Sequence, residues 1–138
     1  MDKNVLYGFF GWLDKILENN NFDKVLAFNF NLYEEVNEYH LQLIGSDEFD
    51  VENPDWACSE IFSSGEEIFK IDIKNTGKKW FEALDFCIKI VIEYLENGKD
   101  KEKILSKKAV GIGFSDGDLY IIYNNGLINK NIKIEYEF

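Results

Sequence analysis

Ten apolar residues between Lys78 and Asn97 constrain this chain more than any other feature: Trp80, Phe81, Leu84, Phe86, Cys87, Ile90, Val91, Ile92, Tyr94 and Leu95. Their spacing places them on one broad face of a helix. A helix rises about 1.5 Å per residue, so a run of this length spans most of a small domain, and the rest of the chain must supply the surface that covers it. Asn97-Gly98 follows as the stop, with the glycine expected in the left-handed conformation that ends many helices. A second helix is predicted from Val5 to Leu17, where Val5, Leu6, Phe9, Phe10, Leu13, Ile16 and Leu17 recur every three or four residues before the polar cluster Glu18-Asn19-Asn20-Asn21. A short charged helix is expected from Lys99 to about Leu105.

The covering surface reads as strands. Lys24 to Asn31 ends in apolar-polar alternation, and Glu38 to Ile44 places Tyr39, Leu41 and Leu43 on one face with His40 and Gln42 on the other. The short linker Leu32 to Asn37 predicts an antiparallel pair. Gly45 to Pro54 is a turn-rich loop leading to a helical turn capped by Asp55, and Glu67 to Ile73 alternates as a third strand. Ala109 to Ser115 and Asp118 to Asn124 flank an Asp116-Gly117 turn and read as a hairpin, whereas the glycines of Gly111-Ile112-Gly113 fit close backbone packing or a bulge. Ile132 to Phe138 is expected as a terminal edge strand, open to pairing with a second copy in a homodimer. These elements predict one α+β domain over residues 1–138: an antiparallel sheet of about five to six strands packed against a long central helix and an N-terminal helix.

Charge excludes several partners. The 15 basic residues are all lysine against 26 acids, a net charge of -11, so nucleic acid is repelled and no arginine fork exists to clamp phosphate. No compact lysine patch opposes that repulsion, and no direct DNA or RNA binding is expected. The first ten residues lack a basic region leading into an apolar run, and no uncharged stretch approaches the length of a membrane span. A cytoplasmic protein without membrane association is the expectation, in which Cys58 and Cys87 are buried free thiols.

No catalytic constellation is marked. His40 is the only histidine, placed on the polar face of a strand with no Ser, Cys or carboxylate at a diagnostic spacing, and is expected as a surface residue. One histidine and two cysteines cannot supply a four-ligand zinc motif, and Gly111-Ile112-Gly113 does not open a helix as a nucleotide-binding loop does. The acids from Asp47 to Asp55 lack the glycine and spacing of a calcium loop. The chain is therefore expected not to be an enzyme, and no cofactor or metal is implied; a hydrolase using carboxylates brought together only by the fold is the competing enzyme reading.

One span stands out. From Val25 to Phe69 there is no lysine or arginine, while eleven acids occur. Such a span is either a solvated face that keeps the protein soluble or a negative surface that steers a basic partner. Phe49, Trp56 and Phe62 punctuate it and could serve as interface anchors, although Trp56 fits core packing as well. The residues assigned to partner binding on this reading are Asp47, Glu48, Asp50, Glu52, Asp55, Glu60, Glu66 and Glu67.

At Leu43-Ile44-Gly45, Phe49-Asp50, Asp55-Trp56-Ala57-Cys58-Ser59-Glu60-Ile61-Phe62 and Val110-Gly111-Ile112-Gly113-Phe114-Ser115-Asp116-Gly117-Asp118-Leu119, the chain resembles a family of small uncharacterised bacterial proteins. Those proteins are similar to the immunity components of polymorphic toxin systems. The resemblance implies a cytosolic protein that blocks a toxin domain by binding it, and it transfers no catalytic residue. The expected partner is a basic protein, such as a nuclease toxin domain, with an adaptor or structural interaction domain as the alternative.

Overall fold

The computed structural model describes residues 2–135. Helix α1 (Lys3–Glu18) starts where the Asn4 N–H donates to the Asp2 carboxylate at 2.7 Å, a side-chain cap on an otherwise unpaired helix donor. It ends where the side-chain amides of Asn19 and Asn20 donate to the carbonyls of Lys15 and Ile16 at 2.8 and 2.9 Å. The polar cluster thus stops the helix by satisfying its last carbonyls. Strand β1 (Ala27–Glu35) runs past the predicted end at Asn31, because Leu32 and Tyr33 continue the same alternation. It turns through Val36-Asn37, with Asn37 at φ 61°, into the antiparallel strand β2 (Glu38–Ser46).

The chain then makes a 3-10 turn at Pro54–Cys58, capped not by Asp55 but by Asn53, whose side chain accepts from the Asp55 N–H at 3.0 Å. Two short strands follow, β3 (Glu60–Ser63) and β4 (Phe69–Asp72), and both pair antiparallel with β2 at different points along its outer edge. The predicted strand ended at Ile73, but Asp72 accepts from the Lys74 N–H at 2.9 Å and starts the single-turn helix α2 (Ile73–Thr76). Gly77 at φ 94° then breaks the chain direction. Helix α3 (Trp80–Asn97) is the predicted central helix. Gly98 ends it with φ -68°, which is not left-handed; the position needs glycine because a Cβ there would lie 2.5–2.6 Å from the Tyr94 ring.

After α4 (Glu102–Leu105), strands β5 (Ala109–Phe114) and β6 (Tyr120–Asn124) pair antiparallel. The Asp116-Gly117 connection is a wider turn in which the Gly117 N–H donates to the Phe114 carbonyl at 3.0 Å, and neither residue takes positive φ. The two-residue turn with positive φ is Asn125-Gly126, at 49° and 91°, leading into β7 (Leu127–Ile128). The edge strand on that side is β7. Residues 132–135 are not in a strand, and the rest of the predicted terminal strand lies outside the described residues.

All seven strands join one sheet, ordered β3-β2-β1-β5-β6-β7 with β4 beside β2. The α+β class holds, with one departure from an antiparallel sheet: β1 and β5 pair in parallel, Ala27 opposite Ala109 through Leu32 opposite Phe114. A parallel pair needs a long crossover, and the chain between β1 and β5, with α3 in it, provides one. On one sheet face Phe28, Phe30, Leu41, Leu43 and Ile112 meet Phe9 and Leu13 of α1 and Leu84, Cys87 and Val91 of α3. Each large side chain so buried contributes about 1.5–3 kcal/mol of transfer free energy. Tyr94 joins the two helices: its ring stacks edge-on to Phe10 at 5.0 Å, and its hydroxyl donates to Asp14 at 2.6 Å. Burial, and then the Asp14 carboxylate, push the Tyr94 hydroxyl pKa upward, so it stays a donor.

Among the described residues no helix is long and apolar enough to cross a membrane. Cys87 is buried as predicted, and burial raises its thiol pKa; Cys58 is exposed, contrary to expectation, because the 3-10 turn carries it to the rim of the sheet.

Candidate functional site

The eight acids assigned to partner binding are all exposed, but the fold does not gather them into one patch. Asp47, Glu48, Asp50 and Asp55 line a shallow hollow of about 390 Å³ around Phe49 and Trp56, beyond the end of β2. Glu52 lies in the adjoining turn, where its N–H donates to Asp50 at 2.9 Å. Glu60 is on β3, and Glu66 and Glu67 occupy the β3–β4 connection, where the Glu67 carbonyl accepts from the Trp12 indole of α1 at 2.9 Å. The acids are therefore strung along the outer edge of β2. The sequence span is contiguous, but the strands it forms run back and forth and spread its charges.

Two of these carboxylates have structural partners. Asp47 accepts from the Ser59 hydroxyl at 2.6 Å, tying the loop to the chain leaving the 3-10 turn, and Asp50 closes the turn at Glu52. None of the eight is in an ion pair; the pairs among the described residues are Glu38–His40, Asp85–Lys89, Glu18–Lys99 and Glu96–Lys130. His40 thus does have a carboxylate neighbour, Glu38 at 2.7 Å, supplied by the same face of the same strand.

The proposed aromatic anchors are folded inward. Trp56 is 3% exposed and forms a small second cluster with Ala27 and Ala109, against which Phe49 stacks edge-on at 5.2 Å. Phe62 packs edge-on to Phe22 at 4.8 Å. These rings hold the acidic loop on the sheet and do not project from it. The exposed apolar side chains nearby are Val51, Ile61 and Leu26, the last of which lines the hollow.

A feature not singled out in the sequence lies on the sheet face opposite the helices. It is a groove of about 690 Å³ floored by Asn29 and Asn31 of β1, Gln42 of β2 and Gly113 of β5, with Asp55, Glu60 and Asp118 around it. Strand alternation explains the floor: Phe28, Phe30 and Leu32 point at the helices, so Asn29 and Asn31 point away. Glycine explains one wall. A Cβ on Gly113 would collide with the Asp118 backbone carbonyl, and one on Gly111 would lie 2.9 Å from both Asn29 Oδ1 and Leu119. The two glycines let the connection between β5 and β6 fold down over β5. The alternation of Asn29 and Asn31 with buried aromatics was the signal available in the sequence.

The groove's hydrogen bonding is internally ordered. Asn29 donates to Asn31 at 2.7 Å, Tyr33 donates to Gln42 at 3.1 Å, and the Gln42 amide donates to Ser63 and to the Gly65 carbonyl, each at 3.2 Å. Among the described residues no group of three or more His, Cys, Asp or Glu side chains is placed to hold a metal ion. Compared with protein-family models, curated proteins and solved structures, the chain gives no match.

Proposed function

We propose that this chain is an inhibitor-type binding protein of the cytosol, an immunity protein that neutralises a basic toxin domain by covering it. The observation that carries the reading is the set of eight exposed carboxylates along the outer edge of β2, none held in an ion pair among the described residues. Unpaired surface charge repels itself and is best compensated by an opposite charge brought from outside. Against a nuclease domain such carboxylates stand where phosphates would bind, and their field accelerates encounter with a basic surface. Asp47 and Asp50 also shape their own loop, which presents the neighbouring Glu48 and Glu52 on a fixed backbone.

The test is capture of a basic toxin-domain partner from the source cells, washed at low and then high salt, followed by growth rescue when that domain and this chain are co-expressed. Binding that weakens with salt, together with rescue, supports the reading. Asp47→Lys, Glu48→Lys, Asp50→Lys and Glu52→Lys combined are expected to weaken both, chiefly by slowing association. If a folded quadruple variant keeps full affinity, the acidic surface is not the interface.

A further inference from the structure

Beyond the acidic edge, we infer that the groove on the open sheet face is a receptor site for a cationic side chain, arginine or lysine, projecting from the basic partner. This deepens the binding reading above and rests on it. Three observations converge on the occupant. First, the groove has no cationic lining residue, while Asp55, Glu60 and Asp118 bring three carboxylates to it. Second, its donors are largely committed: the Tyr33 hydroxyl, one N–H set on Asn29 and the Gln42 amide all point at internal acceptors. Third, the Asn29 side chain is buried to 4% exposure, and its Oδ1 has no hydrogen-bond partner.

A buried acceptor left unpaired is destabilising, so the groove's unmet capacity is for a donor. Lysine and arginine are the side chains that carry only donors, and their charge complements the surrounding carboxylates. An apolar or anionic occupant would leave Oδ1 unpaired and bury or oppose those charges. The glycines at 111 and 113 let the connection between β5 and β6 close over β5 as one wall, so the floor open to an entering side chain is that of β1 and β2, at Asn29, Asn31 and Gln42.

The probe is a hexa-arginine peptide, with the neutral hexa-citrulline peptide as its control, titrated into the isotope-labelled full chain at low salt and followed by amide NMR. Saturable shifts are expected at Asn29, Asn31, Gln42 and Gly113, with none from the citrulline peptide. Glu60→Gln combined with Asp118→Asn changes only exposed side chains and is expected to weaken that binding about three- to tenfold, the range for losing two exposed charge contacts. Asn31→Lys places a resident cation in the groove and is expected to abolish the groove shifts. If the peptide instead shifts only residues 47–52, and the groove variants bind it unchanged, the groove assignment is overturned while the acidic-surface reading stands. If no saturable shift occurs anywhere, both are overturned.

Discussion

Removing the Tyr94 hydroxyl tests the contact that joins the two helices. In Tyr94→Phe the ring stays, so its edge-on contacts with Phe9 and Phe10 and its position over Gly98 are kept, and only the 2.6 Å bond to Asp14 is lost. A hydrogen bond to a charged group is worth about 1.5–3 kcal/mol. Asp14 is only half-buried and water can reach part of it, so we expect the low end, about 1–2 kcal/mol. For a chain of this size that corresponds to a fall of roughly 3–8 °C in Tm. Urea denaturation would give the free energy, and a double-mutant cycle with Asp14→Asn would isolate the coupling. A loss below about 0.5 kcal/mol, or a cycle with no coupling, would show that the ring packs the helices together without help from the hydroxyl.

Two glycines separate space from conformation. Gly113→Ala drives a methyl into the Asp118 backbone carbonyl and should destabilise by more than about 2 kcal/mol, whereas Gly126→Ala meets nothing within 4 Å and suffers only the strain of φ 91°, about 1 kcal/mol; thermal melts of the two variants check the order. A thiol reagent applied to the native protein should modify Cys58 promptly and Cys87 only in denaturant, since Cys87 is fully buried with its thiol pKa raised. Lys99 holds the Glu18 carboxyl below its ordinary value of 4.5, through a 2.6 Å contact. The folded pKa is depressed, so this contribution is present above pH 4.5 and fades as pH falls through the lower folded value. Lys99→Met should flatten that part of the acid limb of a stability-pH curve, and added salt should shrink the difference between the two proteins.

Local patterns carried much of the fold. The α3 periodicity and the run of Val5 to Leu17 appear as helices within a few residues of their predicted ends, and the β1–β2 hairpin follows from two alternating segments joined closely in sequence. What could not be read is what depends on distant partners. The parallel pairing of β1 with β5 joins segments separated by three helices and three strands, and no local feature encodes it. Strand β3 was hidden because Glu60-Ile61-Phe62-Ser63 is short and gains its identity only by docking on β2. Glycine after a helix suggests a left-handed stop at Gly98, and Asp-Gly suggests a tight hairpin turn; in the fold, space beside Tyr94 decides the first, and the second sits in a wider turn. The acids were legible one by one, but their spread along an edge was not, since it follows from the strand pairings.

That spread bears on how a binding surface here would work. At physiological ionic strength exposed charges farther apart than about 8 Å are largely screened from each other, so acids distributed along an edge contribute to a partner's approach more than to a single tight contact. Specificity then has to come from a place where polar groups are partly removed from water and geometrically fixed, since a mismatched occupant there leaves them unpaired. On this molecule the groove over Asn29 meets that condition and the loop at Glu48 and Glu52 does not. Charge reversal in the loop should therefore act mainly on the association rate and its salt dependence, and Asn31→Ala, which alters the groove floor without changing charge, mainly on the dissociation rate. Measuring both rate constants for a captured partner separates them, and equal effects on association from both sets would remove the distinction.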